Sequence, residues 1–248
     1  MTLAAPPPTR ALLDAGRGVA ASALAAACSR LGVRVPDDGE DWRRRGVPCL
    51  LVSADGEVEL DAGLKPPYSG YYEWHPGLPM AVSDACIDAV SQGGLAVSMT
   101  TARAYGLQLA AIFAGALAWR LELAEAMAAD IEMALQEAVA NALVHGNLGI
   151  SSEPRGDAAG FRAYCATIDD RLADPLLAAR RVEVFGVPVP GGVKVTVTDE
   201  GLGFELNREL AREALVGEKW GRGLRIISGL ARRVETLDGG RRVEMTFV

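Results

Sequence analysis

The stretch LQEAVANALVHGNLG, residues 135–149, decides how the rest of the chain is interpreted, because its apolar spacing predicts a helix that carries three polar side chains. Glu137, Asn141 and His145 recur at steps of four and therefore share one helix face. An amide oxygen suits Mg²⁺, and a carboxylate one turn away can take a proton from a hydroxyl or a water. The alternative is structural: polar residues line the rim of an amphipathic helix, and His145 and Gly146 form its C-terminal cap.

A second stretch, VKVTVTDEGLGF at residues 193–204, predicts a strand with one buried face, because valine alternates with polar residues. The strand leads Asp199 into a turn that contains Gly201 and Gly203. A carboxylate only accepts hydrogen bonds, so Asp199 can receive the exocyclic amine of adenine and would repel the carbonyl of guanine. The glycines would let a ligand approach the backbone closely. The alternative is an ordinary loop at the end of a strand.

A third stretch, KWGRGLRIISGL at residues 219–230, places Gly221 and Gly223 directly before an amphipathic helix. Free amides at a helix start bind phosphate, and Lys219 and Arg222 would add positive charge. The alternative is a helix entry loop with a hinge. Neither glycine pair extends to G-x-G-x-x-G, and G-x-x-x-x-G-K-[ST] is absent from the sequence. Any nucleotide site must therefore be of another kind.

The three stretches belong to a predicted domain of residues 94–248, with an α+β fold: a two-layer sandwich in which a mixed β-sheet carries helices on one face. A long polar segment in this domain is expected to hold a loop and a short helix. The predicted elements are a strand at 95–102, helices at about 103–119 and 122–146, the polar segment at 147–175, strands at 180–189 and 191–201, a helix at 221–234, and a hairpin that turns at Asp238–Gly239.

Residues 1–93 are predicted to form a smaller, separate α/β domain, which begins with a strand, a helix and a second strand. Asp14 and Asp55 lie near the two strand ends, so a degenerate receiver-like domain is one of two interpretations. An interaction or dimerisation domain is the alternative. The segment 64–79 contains four prolines among glycines and aromatics, and it is expected to hold no regular element.

The order of the three stretches resembles that of the GHKL ATP-binding family, which includes gyrase-type ATPases, histidine kinases, mismatch-repair ATPases and bacterial anti-sigma serine kinases. The resemblance covers roughly residues 95–248 and implies ATP and Mg²⁺ as cofactors. It implies that Glu137 is the general base, that Asn141 holds the metal, and that Asp199 reads adenine. It also implies a short ATP lid at 205–220. The remaining implied nucleotide-binding residues are His145, Gly201, Gly203, Lys219, Gly221, Arg222, Gly223, Leu224 and Thr246, the last as a support of the adenine site.

Within the family, the short lid and the H-G-N at 145–147 are most similar to anti-sigma regulatory serine/threonine kinases. This implies transfer of the ATP γ-phosphoryl group to a serine or threonine of an antagonist protein, and exchange with a sigma factor. An ATP-dependent binding switch without transfer, or an orphan histidine-kinase catalytic module, stay open. His75 precedes Pro76 among aromatics, which predicts a loop and disfavours self-phosphorylation. The sequence ends at Val248, directly after the hairpin, so no gyrase-type transducer domain is expected.

Composition limits the classes of partner. The chain has 248 residues, of which 50% are hydrophobic and 23% charged, and its net charge of -7 disfavours nucleic acid as a partner. The longest apolar run, 107–119, is too short to cross a membrane. Four cysteines without paired spacing and only two histidines favour a reducing compartment over a zinc site. With no signal-peptide pattern in the first residues, we expect a cytoplasmic protein. A homodimer stays open.

Overall fold

The computed structural model describes residues 11–37, 41–54, 56–151, 158–204 and 223–248. The chain divides into two compact units, Met1–Ala96 and Val97–Val248. The sequence-based estimate placed the boundary near Gly94. The contact-based boundary lies inside one strand, which therefore begins in the first unit and continues into the second.

The first unit is built from alternating strands and helices. Its strands are β1 Leu12–Ala15, β2 Cys49–Ser53 and β3 Gly70–Glu73, and its helices are α1 Ala21–Leu31, α2 Gly56–Gly63 and α3 Asp84–Ser91. The first helix is followed by Gly32, whose φ of 65° is the left-handed conformation that glycine adopts without strain. Three of the four cysteines of the chain, Cys28, Cys49 and Cys86, are buried in this unit.

The strand order of the first unit argues against a receiver-like domain. The central strand is β2, which pairs in parallel with β1 on one side and with β3 on the other. A receiver-type sheet places its first strand between the second and third, so this strand order does not support the receiver-like interpretation, which stays a prediction. The carboxylate of Asp14 accepts a hydrogen bond from the Tyr68 hydroxyl at 2.6 Å. Asp55 lies outside the described residues.

The proline-rich segment 64–79 contains a strand that was not predicted. Its prolines stand at 66, 67, 76 and 79, and β3 fits between the two pairs. All four residues of β3 are buried, among them Tyr71 and Tyr72. Aromatic residues favour a pleated, buried surface, and pairing with β2 supplies the tertiary context that the sequence pattern lacked.

The second unit contains the predicted α+β sandwich. The strand order is β4-β5-β6-β8-β7, and β5, β6, β8 and β7 pair antiparallel. Its strands are β4 Leu95–Thr100, β5 Arg181–Val189, β6 Gly192–Thr198, β7 Arg233–Leu237 and β8 Arg242–Phe247; its helices are α4 Thr101–Tyr105, α5 Leu109–Leu121, α6 Glu125–Ala140, α7 Ala158–Leu172, α8 Pro175–Ala178 and α9 Gly223–Leu230. The predicted fold class is confirmed.

The two faces of this sheet differ in polarity, as the alternation in β6 predicted. Val193, Val195 and Val197 are at most 2% exposed, on the side where α6 and α9 pack. On the opposite side, Lys194 forms an ion pair with Glu244 of β8 at 3.3 Å. The apolar side therefore forms the core between the sheet and the helices. The final hairpin turns at Asp238–Gly239, as predicted.

The helical region between β4 and β5 departs from the prediction in detail. The expected helix at about 103–119 is interrupted near Gly106 and forms α4 and α5. The expected helix at about 122–146 forms α6, followed by the π-helical segment Asn141–Asn147. In this segment Leu148 N donates to the carbonyl five residues earlier at 2.9 Å, and such π-turns occur often at functional sites.

In the part of the chain that the structure describes, no helix combines the length and the apolar character that a membrane crossing needs.

Candidate functional site

The first and third motifs meet between α6 and α9. Glu137 lies in the last turn of α6, Asn141 opens the π-helical segment, and both side chains face Gly223 at the start of α9. A methyl group on Gly223 would lie 2.8 Å from Glu137 Oε2 and 3.2 Å from Asn141 Nδ2. The carboxylate and the amide therefore sit side by side, directly against the helix start whose amides were predicted to bind phosphate.

The first and second motifs meet at Asp199, which directly follows β6. Its main-chain N–H donates to Arg241 O at 2.9 Å, and its Oδ1 accepts from Gly201 N at 2.7 Å. A methyl group on Gly146 would lie 2.5 Å from both Cγ and Oδ1 of Asp199. Only glycine at this point of the π-helical segment leaves the carboxylate in place, so Gly146 is a site residue that the sequence analysis treated only as part of a cap.

The environment of Asp199 raises the pKa of its carboxyl to about 6, chiefly because burial disfavours the charged form. The hydrogen bond from Gly201 and the nearby guanidinium groups of Arg241 and Arg180 act in the opposite direction, while Glu200 adds to the rise. At neutral pH the group is still predominantly ionised, and it remains an acceptor of hydrogen bonds. A partly dehydrated carboxylate with a shifted pKa is a feature that functional sites share.

The glycine turn after Asp199 packs against two backbone segments. A methyl group on Gly201 would collide with the carbonyl of Gly146, and one on Gly203 would collide with the carbonyl of Gly239. Gly203 also has a φ of 75°, which other residues rarely adopt. Close backbone contacts within the protein therefore require glycine at both positions. This explanation is separate from the predicted one, that glycine lets a ligand approach the backbone.

Asn147, the last residue of the π-helical segment, is fully buried and joins four parts of the site region. Its side chain bonds Thr101 of α4, Arg181 of β5 and Glu200 of the glycine turn. Asn147 is not among the predicted site residues, although it lies in the H-G-N at 145–147. An asparagine next to a glycine suggests a turn or a cap as readily as a buried hub, so the sequence carried no specific signal for this role.

Two further predicted site residues, His145 and Thr246, have other contacts in the structure. His145 Nδ1 donates to Ile150 O at 2.6 Å, because a carbonyl only accepts, so this nitrogen is engaged in holding the following loop. Thr246 pairs with Lys194 in the register of β6 and β8, five residues before Asp199. Five residues of strand span about 16 Å along the chain, and support of the adenine site by Thr246 stays a prediction.

The last predicted residues belong to the lid region and to α9. Lys219, Gly221 and Arg222 lie outside the described residues, as does the segment 205–220. Leu224 is 7% exposed and packs in the core beneath α9. Its contribution is to anchor the helix start behind Gly223.

The chemistry of the site fits an adenine nucleotide with Mg²⁺. Asp199 offers the acceptor that an exocyclic amine needs, and the backbones of Gly146 and Gly223 pack directly against its carboxylate and against the Glu137–Asn141 pair. The described residues include no cluster of three or more acidic, cysteine or histidine side chains that could hold a metal alone. A single amide oxygen is enough for Mg²⁺, which takes most of its other ligands from phosphates and water.

The fold and these contacts define the class of protein, an ATPase-type nucleotide-binding domain of the GHKL kind. The sequence model of one family, described as the histidine kinase-like ATPase domain, matches residues 100–247, more than half of the chain. The chain therefore belongs to the histidine kinase-like ATPase domain family, whose members bind ATP, typically with Mg²⁺. The comparison with curated proteins returned no match.

Proposed function

We propose that this protein binds ATP through its second unit and transfers the γ-phosphoryl group to a serine or threonine of a regulatory partner protein, as in anti-sigma partner switching. The observation that carries the proposal is the contact of Gly223 with both Glu137 and Asn141. It joins a candidate base, a candidate metal ligand and a helix start in one place, although the three are far apart in the sequence.

Asp199 would recognise the adenine base of the nucleotide. Its carboxylate accepts from the exocyclic amine of adenine, whereas the carbonyl of guanine at the corresponding position would face a negative charge. The backbone contacts of Gly146 and Gly201 hold the carboxylate in a partly dehydrated position, where a hydrogen bond to a charged group is stronger than in water. We therefore expect the protein to prefer ATP over GTP.

Phosphoryl transfer would fall to the other end of the π-helical segment. Asn141 would hold Mg²⁺, which would neutralise negative charge on the phosphates. The amides at the start of α9 lie beside it and are suited to phosphate oxygens. Glu137 accepts the proton of the partner's hydroxyl as its oxygen bonds to the γ-phosphorus, and the bond to the β–γ bridging oxygen breaks to leave ADP.

The identity of the partner class rests on the sequence resemblance. The short lid and the H-G-N at 145–147 are similar to the anti-sigma branch, so we propose a sigma factor or its antagonist as partner and a cytoplasmic location. A binding switch without transfer and transfer to histidine are the two competing functions, and one labelling experiment separates all three.

The test incubates the full-length chain with γ-labelled ATP and regulatory proteins encoded by neighbouring genes. Acid-stable label on a partner's serine or threonine supports the proposal. Acid-labile label identifies a histidine-kinase module, and ATP binding without transfer identifies a switch. Absence of ATP binding would contradict all three.

The variant Glu137→Gln tests the assignment of the base. It should reduce transfer by roughly 10²-fold or more while ATP affinity stays within about threefold, because the amide keeps its shape and loses its basicity. The matched control is Glu132→Gln on the same helix, whose carboxylate accepts from Gln136 and is not at Gly223. Full transfer by Glu137→Gln would exclude Glu137 as the base.

A further inference from the structure

We propose that Asn147 is the positioning residue for adenine recognition, because it holds the main chain of Glu200 and thereby sets the carboxylate of Asp199. This inference rests on the proposed function and extends it to a residue that does not itself touch the nucleotide. It follows from the hydrogen bonds, burial and order of the residues around the glycine turn.

The amide of Asn147 is fully committed to protein partners. Nδ2 donates to Thr101 Oγ1 at 2.8 Å and to Arg181 O at 2.9 Å, and Oδ1 accepts from Glu200 N at 2.7 Å. A carbonyl can only accept and a peptide N–H can only donate, so these partners fix which end of the amide is oxygen. With no exposed surface, the side chain cannot replace any of these bonds with water.

Among the described residues, the side chain of Asn147 anchors the main chain of the turn from another part of the chain, through its bond to Glu200 N. Three consecutive N–H groups have acceptors: Asp199 N bonds the main chain of Arg241, Glu200 N bonds Asn147, and Gly201 N bonds Asp199 itself. The first is a backbone bond and the third is internal to the turn. Loss of the middle bond leaves the partly buried N–H of the peptide that directly follows Asp199 without its acceptor, while the Glu200 side chain still accepts from Arg181 N at 2.8 Å.

Asn147 also sets the surface that faces the carboxylate. It directly follows Gly146, the residue whose missing side chain makes room for Asp199. Its main-chain carbonyl accepts from Arg180 Nη1 at 2.6 Å, which keeps that guanidinium near the Asp199 carboxylate. One residue thus determines the position of the turn, of the π-helical segment beside it and of a neighbouring positive charge.

The primary test compares binding of ATP and GTP by the purified full-length chain, since the two nucleotides carry the same phosphates and differ in the base. In Asn147→Ala we expect ATP affinity to fall by about tenfold or more while GTP affinity changes little, so that the preference for ATP is lost. The residues Glu137 and Asn141 keep their contacts to Gly223, which is why the shared phosphate contribution should remain.

Thr101→Val is the matched control for a purely structural effect. It removes the hydroxyl that accepts from Asn147 Nδ2 and donates to Arg180 O, yet it leaves the bond from Glu200 N to Asn147 Oδ1. Thermal unfolding should show a loss of stability for both variants, with the preference for ATP lost only in Asn147→Ala. Equal loss of preference in both variants, or an intact preference in folded Asn147→Ala, would overturn the proposal.

The pH profile gives a second readout that a general loss of stability would not move. In the wild type the ATP:GTP affinity ratio should fall as the pH drops through about 6, where Asp199 takes up a proton. In Asn147→Ala the released carboxyl gains water, so any remaining break should move toward the ordinary value of 3.8. A break that stays near 6 in the variant counts against the proposal.

If Asn147→Ala does not fold, Asn147→Asp tests the positioning role of Asn147 instead. It keeps an oxygen for Glu200 N but lacks the two N–H donors, so it should be less stable and still prefer ATP. Loss of the preference in folded Asn147→Asp would overturn the positioning role. A wild type that prefers ATP, with variants that behave otherwise than expected, refutes this inference alone, whereas a wild type that binds neither nucleotide refutes the proposed function as well.

Discussion

Ionisation of Asp199 has opposite effects on the stability of the fold and on the proposed binding of adenine. Its carboxyl has a pKa of about 6 in the folded chain against an ordinary value of 3.8, so between these pH values the folded chain holds a proton that the unfolded chain releases. The stabilising contribution is complete below the lower value and is lost as the pH rises through about 6. At neutral pH the ionised Asp199 carboxylate therefore destabilises the fold. The same carboxylate supplies the hydrogen-bond acceptor for the proposed adenine.

Asp199→Asn should separate these two effects. The amide oxygen can still accept from Gly201 N, but the charge is gone and the amide can also present N–H groups to the base. We expect ATP affinity to fall by about tenfold or more, as measured by calorimetry. We expect the free energy of unfolding at pH 7, from urea denaturation, to rise relative to the wild type, with the gain shrinking toward pH 4.

The outcome that contradicts the adenine assignment is undiminished ATP affinity in this variant. The pH argument is contradicted separately, by a difference in unfolding free energy that is the same at pH 4 and pH 7.

At the scale of elements, the π-helical segment Asn141–Asn147 is what brings the motifs together. Asn141 at its beginning lies against α9, and Gly146 and Asn147 at its end lie against the turn after β6. A π-helical turn is wider than an α-helical turn, so its side chains point in directions that a regular α-helix would not give them. The two ends of this short segment therefore contact different partners. The end that contacts Gly223 and the end that contacts Asp199 and Glu200 thereby belong to the same piece of backbone.

Gly146→Ala tests the contact between this segment and the end of β6. The added methyl would lie 2.5 Å from the Asp199 carboxylate, so the segment or the turn must shift. We expect a loss of roughly 1–3 kcal/mol in the free energy of unfolding and a fall in ATP affinity of about tenfold. Urea denaturation and calorimetry on the full-length chain provide the two measurements.

The control for this variant is Gly115→Ala in α5, where an added methyl has no neighbour within 4 Å. It should raise the free energy of unfolding by roughly 0.5–1 kcal/mol and leave ATP affinity unchanged, because alanine is the better helix former. If Gly146→Ala behaved like this control, the close contact with Asp199 would have no energetic meaning.

At the scale of the whole molecule, every described residue of the proposed site lies in the second unit, Val97–Val248. The boundary nevertheless cuts β4, whose residues Leu95, Ala96 and Val97 are completely buried.

A fragment of residues 94–248 should bind ATP with an affinity within about threefold of the full chain, a difference under about 0.7 kcal/mol. A fragment that begins at Thr101 lacks β4 and should unfold at a much lower temperature, because a row of fully buried apolar side chains is missing. Calorimetry and thermal denaturation distinguish these results. Failure of the longer, folded fragment to bind would place part of the nucleotide site in the first unit.

The sequence by itself determined the α+β class, the alternating faces of β6, the final hairpin and the three motifs, because each follows from periodicity or from local turn chemistry. The strand β3 escaped it, since four residues between prolines form a strand only when β2 supplies the partner. Helix boundaries shifted for a related reason: nothing local marks where α6 passes into a π-turn.

Only the tertiary structure decided which residues meet. It brought Gly223 to Glu137 and Asn141, and Gly146 to Asp199, and it paired Thr246 with Lys194, five residues before Asp199. It also showed that Asn147 is buried and hydrogen-bonded to the turn after β6. The small and polar residues around position 147 do not distinguish such a residue from one in an exposed turn. Distances between segments remote in sequence depend on packing and register, and these are properties of the assembled core rather than of any stretch within it.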